Sequence, residues 1–568
     1  MKKKKRKKIV WTSMGTVMAA SLVVGLSGCG GSNAEKKQKA EETAAEDGLE
    51  TVKIFGKNYQ FTGSGGQKVT LKDWSTQGKS KRWKKLTDDL ADKGVKLELE
   101  LIEPDQYETT CQTMAASGEF SKYDLINISP LDDKTKINLV NQKQFQSFSD
   151  IWEKYSEGEA KDFFETEAGE YFKNHMKLED GKCYWLSDFS TGIYKGETKA
   201  NMAQGFQVRQ DWLDIVGEEL PENIDEVHQV LKKFQDEDVN QNGKADEAFY
   251  VNFSGFATDV AQWFGLGPSI AFPNTQDNDT VTSPWYQENV KKYIEYMKKL
   301  YSEGLLKMDD EQFSTHMSNN EVSAISNYAT QIWLEPTVAI PEGADYPWYV
   351  PLRAKAVEGQ TPLFRGQYHY NPSTRAYAVS GSSEKQEAIA KILDYLLTEE
   401  AQLVQEYGIK DVSYKEEKDG RKQRIIDATL ENTDAVEIAL WINDSIFPRF
   451  DLYKDVSDEM ETSIDIAKDN GVTSNPEGKY DFMLECVNDQ EHRLFHDDTP
   501  YGIPTIEEID KQNAISSDLN TYSQELLSKL IMGQKSMDDW DSYIKDLKDL
   551  GLDEMISINQ ARYDRAMK

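Results

Sequence analysis

Apolar positions between residues 69 and 128 recur at two different periods. Val69-Thr70-Leu71 opens a strand that ends at Asp73-Trp74-Ser75. From Arg82 to Gly94, Trp83, Leu86 and Leu90 share one helical face, and Gly94 is the stop. Val95 to Leu101 then alternates strictly between apolar and charged residues, as a half-buried strand does. A second helix covers Asp105 to Ser117, and Tyr123 to Ile128 reads as a third strand. Strand, helix, strand, helix, strand predicts a parallel sheet with right-handed crossovers. Ligands of such α/β sheets sit beyond the carboxyl ends of the strands. Asp73, Trp74, Asn127 and Ser129 fall there.

Helical periods return further along. Val227, Val230, Leu231 and Phe234 line one face of a helix over about 223–234, and a long helix runs from Asn289 to Glu303, closed by Gly304. Tyr377-Ala378-Val379 reads as a strand, and Lys385 to Thr398 and Glu399 to Tyr407 read as helices. The remainder, about 430–568, is mostly helical, with a long helix through Thr521–Ile531. About 500 residues of folded body are too many for one core and predict two domains.

The N-terminus breaks these patterns. Met1 is followed by seven basic residues, then by an uncharged, apolar stretch from Ile9 to Leu26 and by Leu26-Ser27-Gly28-Cys29. A positive segment, an apolar segment and small residues describe an export signal. The four-residue site resembles the bacterial lipobox, which predicts lipidation at Cys29 and a signal peptide over residues 1–28. An uncleaved anchor is the alternative, since the apolar run approaches spanning length. Residues 30–51 are Gly, Ser, Ala, Glu and Lys with almost no apolar side chain, a composition that cannot fold alone and reads as a flexible tether. Ile54, Phe55, Tyr59 and Phe61 either dock on the body or extend that tether; the boundary is set at 66.

Charge narrows the function. The chain carries a formal net charge of −33, and the basic leader makes the rest more acidic still. That excludes nucleic acid, which needs Lys and Arg against its phosphates. Beyond Cys29, only Cys111, Cys183 and Cys486 remain, so at most one disulfide can form. His492 and His496 have helical spacing but lack the Glu of a zinc-protease motif. No nucleophile elbow or phosphate-cradling glycine loop is present.

The densest local chemistry is Asp238-Val239-Asn240-Gln241-Asn242-Gly243-Lys244-Ala245-Asp246-Glu247. Its first half follows an EF-hand loop, in which alternate oxygens converge on one ion and a glycine permits the turn. Phe249 stands where an EF-hand ends in Glu, so this loop must close with Asp246 and Glu247. The predicted metal ligands are Asp238, Asn240, Asn242, the Lys244 carbonyl, Asp246 and Glu247. The same residues also suit a metal-free turn after a helix. A metal here would be structural, since no base or nucleophile accompanies it.

Upstream of the loop stand Arg209-Gln210-Asp211-Trp212-Leu213 and Leu220-Pro221. This order resembles the family 1 extracellular solute-binding proteins, and most of all the long lipoprotein branch with calcium-containing alginate-oligosaccharide-binding proteins. Met114 to Gly118 before Tyr123 to Ile126, Asp180-Gly181-Lys182-Cys183-Tyr184 and Leu300 to Leu306 also resemble family segments, as do Ile503-Pro504-Thr505 and the closing stretch from Gly533 to Tyr563. Lys410 and Asp411 replace a family Glu and Gly after Tyr407-Gly408-Ile409, and the turn expected near Glu321 to Ile325 is missing. The resemblance runs from about Lys68 to the C-terminus.

It implies a two-domain, type II periplasmic-binding-protein-like α/β fold with a hinge and a helix-rich C-terminal part. Residues 67–190 and 366–428 would form the N-terminal domain. Residues 191–365 and 429–568 would form the other, with a structural calcium in its loop. The function implied is capture of an oligosaccharide for the membrane permease of an ABC importer, by a monomer lipid-anchored on the extracellular face, with no catalysis. Aromatic rings stack on sugars while polar groups bind hydroxyls. The candidate ligand residues are therefore Asp73, Trp74, Asn127, Trp263, Trp333, Arg365, Trp441 and Asn443. Core packing is the alternative for each Trp. Trp212 and Trp540 are assigned to core, and Arg365 suits either a sugar carboxylate or a neighbouring acid. Rival functions are a surface carbohydrate-active enzyme, using a carboxylate pair among the 99 acidic residues, and a binding protein for peptides or signalling ligands.

Overall fold

The computed structural model describes residues 48–62, 68–76, 80–190, 193–194, 197–198, 202–250, 258–267, 274–276, 280–308, 313–328, 348–367, 375–424, 446–453, 455–469, 471–489, 491–494 and 501–567. Leu49–Lys568 forms one compact unit. Within it two sheets each organise a separate hydrophobic core.

The first sheet runs in the order Val95–Ile102, Glu50–Lys57, Leu125–Asn127, Tyr377–Ser380 and Phe145–Gln146, with Trp185–Leu186 added to Tyr377–Ser380. The first three strands are parallel, and Tyr377–Ser380 lies antiparallel beside Leu125–Asn127. Glu50–Lys57 is thus an interior strand. Val52, Ile54 and Phe55 are fully buried, and Phe55 packs its ring among Tyr107, Phe120 and Tyr123. This corrects the tether boundary at residue 66. Eight residues with two lysines look unable to stand alone, but neighbours on both sides satisfy their backbone and bury their apolar face.

The segment expected to be the first strand is a short hairpin and a helix. Gln60–Thr62 pairs antiparallel with Lys68–Thr70, and Leu71–Thr76 is helical. The reason is local. The Thr70 hydroxyl accepts the Asp73 N–H at 3.1 Å, which caps a new helix, and the chain leaves the extended conformation. The other elements of this half lie close to expectation: helices Lys81–Asp92 and Pro104–Ser117, the latter closed by Gly118 at φ 74°, and strand Val95–Ile102.

The second sheet is mixed, in the order Leu306–Lys307, Ala248–Tyr250, Val322–Tyr328, Met202–Arg209, Phe364–Gln367 and Arg493–Leu494. Tyr349–Leu352 also pairs with Met202–Arg209. Its core contains Phe206, Trp212, Leu231, Phe234, Trp285 and Trp540. Helix Ile506–Ile531 spans both halves. Ile509 packs in the first core, and Leu519 to Ile531 pack in the second. Ile446, Phe447 and Phe450 also belong to the first core, so a boundary at residue 429 cuts that core.

Candidate functional site

Helix Ile224–Asp236 delivers the cation loop. Asn223 caps it, and Val227, Val230, Leu231 and Phe234 are buried against the second core. Beyond it the backbone enters the left-handed region three times, at Asp238 (φ 46°), Gln241 (φ 58°) and Gly243 (φ 78°). These turns fold the loop around its own carboxylates. Asp238 accepts the N–H groups of Asn242 at 3.1 Å and Gly243 at 3.0 Å. Asn240 Oδ1 accepts Asn242 N–H at 3.1 Å, and Asn242 Oδ1 accepts Lys244 N–H at 2.9 Å. Both Asn240 and Asn242 donate Nδ2 to Asp246, each at 3.0 Å.

Glu247 is the innermost group. It is 0% exposed and accepts the N–H groups of Asn240 at 3.3 Å and Asp246 at 3.2 Å. Burial pushes its carboxyl above the ordinary value of 4.5. No Lys, Arg or His forms an ion pair with Asp238, Asp246 or Glu247 among the described residues. Among the same residues, no group of three or more His, Cys, Asp and Glu side chains is placed to hold a metal ion. The predicted set relies instead on amide and main-chain oxygens for half its donors. An all-oxygen set around a buried, uncompensated carboxylate suits a hard divalent cation.

The carboxyl ends of the parallel strands form the second candidate region. Asn58 follows strand Glu50–Lys57 and is 1% exposed. Its Oδ1 accepts Lys72 N–H at 2.9 Å, and its Nδ2 donates to Glu103 at 2.8 Å. Gln60 Nε2 donates to the other Glu103 oxygen at 2.9 Å. Asp73 is exposed on the helix that Asn58 steadies. It follows Lys72, which Asn58 holds beside the end of strand Glu50–Lys57, and it does not itself end a strand. Asn58, Gln60 and Glu103 were missed in sequence; the turn residue after an alternating run, and Glu-Pro at a helix start, were the available signals.

Two predicted ligand residues are built into the fold. Asn127 is 1% exposed, and its Oδ1 accepts the N–H of Ser129 at 3.1 Å and its hydroxyl at 2.6 Å. Ser129 Oγ in turn accepts Ala376 N–H at 2.9 Å, so Asn127 pins the junction of two strands. Trp263 is 2% exposed and meets Phe206 edge-on at 5.1 Å. It packs in the core and turns no face to a ligand, because the apolar Phe206 side of the sheet covers it. Trp74 lies on helix Leu71–Thr76 and Arg365 on strand Phe364–Gln367, but their side chains are not among those described. Trp333, Trp441 and Asn443 lie outside the described residues, as does Cys29.

Where the chain passes between the two cores, one carboxylate gathers three segments. Asp188 accepts from the Arg375 side chain at 2.5 Å and from the Arg449 N–H at 2.8 Å. Arg449 pairs with Glu406 and, at 2.7 Å, with Asp451. Burial works against the Arg449 charge, but Asp451 and Glu406 outweigh it and hold the guanidinium firmly protonated.

Comparison with known proteins matches residues 73–403 to the family of bacterial extracellular solute-binding proteins. The fructooligosaccharide ABC transporter substrate-binding protein FusA of Streptococcus pneumoniae is 21% identical over 414 residues, 69% of this chain and 71% of FusA. The fold aligns with an HMO binding ABC-transporter associated solute binding protein of Bifidobacterium longum infantis at TM-score 0.64 and 18% identity, over 92% of this chain and 100% of that one. It aligns with the alginate-binding protein AlgQ2, solved without calcium ion, at TM-score 0.58 and 16% identity, over 92% and 99%. A FusA structure described as an EF-hand mutant aligns at TM-score 0.58 and 18% identity, over 91% and 99%. The fold is therefore that of the two-domain solute-binding proteins.

Proposed function

The chain belongs to the bacterial extracellular solute-binding proteins, and from that premise we propose that it captures an oligosaccharide and delivers it to the membrane permease of an ABC importer. The observation that carries this reading is a family match reaching from Asp73 in the first half, through the whole of the second sheet's central strands, to residue 403. FusA, which aligns over most of its length, is a fructooligosaccharide binder by description. The ligand would sit between the two halves, at the strand ends near Asp73, Gln60 and Glu103. The halves would close about the connections that leave Ser190, enter Arg375 and leave Asp451, a hinge mode of ligand-driven change. The protein works as a binder, with no catalytic role for its carboxylates.

Finer proposals follow from the same reading. Asp238, Asn240, Asn242, the Lys244 carbonyl, Asp246 and Glu247 would hold a structural Ca²⁺, which would neutralise Glu247 and fix the loop. AlgQ2 and FusA, described with reference to a calcium ion and an EF-hand, support it. Residues 1–28 would be removed as a signal peptide, and Cys29 would carry the lipid that anchors a monomer on the extracellular face. Among the described residues no helix is long and apolar enough to cross a membrane. Incorporation of labelled palmitate should vanish in Cys29→Ala.

Thermal shift of the purified chain against a panel of mono- and oligosaccharides, with calcium present, tests the function. A ligand that binds the native state raises the melting midpoint by mass action. The expected result is a rise with an oligosaccharide that mass spectrometry then recovers intact. No rise with any sugar would overturn the carbohydrate reading, and a cleaved glycan would turn it over to an enzyme.

A further inference from the structure

Arg209-Gln210-Asp211-Trp212-Leu213 lies nearly thirty residues before the cation loop, yet the fold brings its first residue to the loop's border. Arg209 ends strand Met202–Arg209 and is 3% exposed. Its guanidinium grips Asp211 through Nε at 2.7 Å and Nη2 at 2.5 Å, and it stacks 4.2 Å from the Trp212 ring centroid. The remaining arm, Nη1, donates to Asn320 Oδ1 at 2.8 Å. Asn320 sits in the left-handed region at φ 60°, just before strand Val322–Tyr328. Its main-chain oxygen accepts Asn240 Nδ2 at 3.1 Å.

That last bond decides which way the Asn240 amide points. Nδ2 faces two groups that can only accept, the Asn320 carbonyl and Asp246 Oδ1. Turning the amide over would set Oδ1 against both. Oδ1 is thereby directed to the loop interior, where it accepts Asn242 N–H. Asp246 is itself a proposed ligand and would turn to an ion. Asn320 is outside the ligand set, and the Arg209–Asp211 fork holds it.

We infer that Asn320 is a positioning residue for the cation site, held by Arg209 and Asp211 so that Asn240 presents oxygen rather than nitrogen to the ion. The inference rests on the calcium reading of the loop. It assigns the Arg-x-Asp-Trp motif a role at that site, alongside its part in the core. Partners of metal ligands typically change affinity about 10–100-fold when removed.

The test measures Ca²⁺ affinity by calorimetry and by Tb³⁺ luminescence on the full chain, its Asn320→Gly, Asn320→Asp and Arg209→Lys variants, with melting midpoints in chelator. Glycine accepts φ 60° without strain, so N320G removes the side-chain tie and keeps the carbonyl. N320G and R209K should each weaken Ca²⁺ by about tenfold or more. N320D, which keeps an acceptor for Arg209, should bind as the parent does. N320G takes an acceptor from the buried Arg209, so its midpoint in chelator should fall somewhat, while its calcium-induced rise shrinks beyond that fall. Parental affinity in both N320G and R209K would overturn the inference and leave the calcium reading standing. So would weaker binding matched by an equal loss of midpoint in chelator. If the parent itself binds neither Ca²⁺ nor Tb³⁺, the calcium reading fails first.

Discussion

In the first half of the molecule Asp188, Glu406 and Asp451 surround the guanidinium groups of Arg375 and Arg449. In the second half Asp238, Asp246 and Glu247 gather around amides and main-chain N–H groups. Each cluster takes at least one carboxylate out of water, Glu406 in the first and Glu247 in the second, which costs several kcal/mol per ion unless charge and hydrogen bonds compensate. The first carries its compensation in its own arginines. The second has main-chain N–H groups alone, and burial pushes the Glu247 carboxyl up. On the proposed reading, the difference separates a cluster that needs nothing added from a loop that a bound cation would complete.

The largest effect should come from breaking the self-contained cluster. Arg449→Leu takes the guanidinium away from Glu406 and Asp451, a loss of about 3–5 kcal/mol. Urea unfolding would measure it, and the loss should be the same with calcium or with chelator. Asp238→Ala should behave oppositely. It should cost little in chelator but abolish the calcium-induced stabilisation, about 2.7 kcal/mol when calcium is 100 times its dissociation constant. An equal loss in both media would erase the distinction between the clusters.

A third carboxylate sharpens the comparison at the start of helix Ile506–Ile531. Glu508 completes a capping box with Thr505 and binds Arg565 at 2.6 Å. Thr505→Ala should cost about 1 kcal/mol, independent of calcium. Burial pushes the Glu508 carboxyl up, but Arg565 and the Thr505 N–H outweigh it and hold it below 4.5. A depressed carboxylate adds stability above its unfolded value, and that stability is lost as pH falls through the folded value. Glu508→Gln keeps the cap. It should lower stability at neutral pH and flatten its decline below about pH 4.5, as acid titration by circular dichroism would show.

Features confined to a few neighbouring residues were legible in the sequence. The strict alternation of Val95 to Leu101 gives a strand, and the Asp238–Glu247 oxygens all lie within one turn of chain. Trp212 and Trp540 are core, as expected. Most of what failed was non-local. Glu50–Lys57 reads as the end of a charged tether because the strands that bury it come later in the chain. The exception is local: strand Lys68–Thr70 forms, but Leu71 begins a helix at which the Thr70 hydroxyl accepts the Asp73 N–H. Trp263 looks like a ligand platform beside Phe264, but its partner Phe206 stands on a distant strand. Asn320 carried no signal at all, since its role depends on Arg209 and Asn240 arriving from two other segments.

The most direct test of the contrast is a calorimetric titration of the chelator-stripped chain with Ca²⁺, followed by melting with and without the ion. One ion per chain, a raised midpoint, and loss of both in Asp238→Ala are the predicted results. No heat and no change in midpoint would contradict the account, and would leave Asp238–Glu247 a turn that tolerates its buried carboxylate unaided.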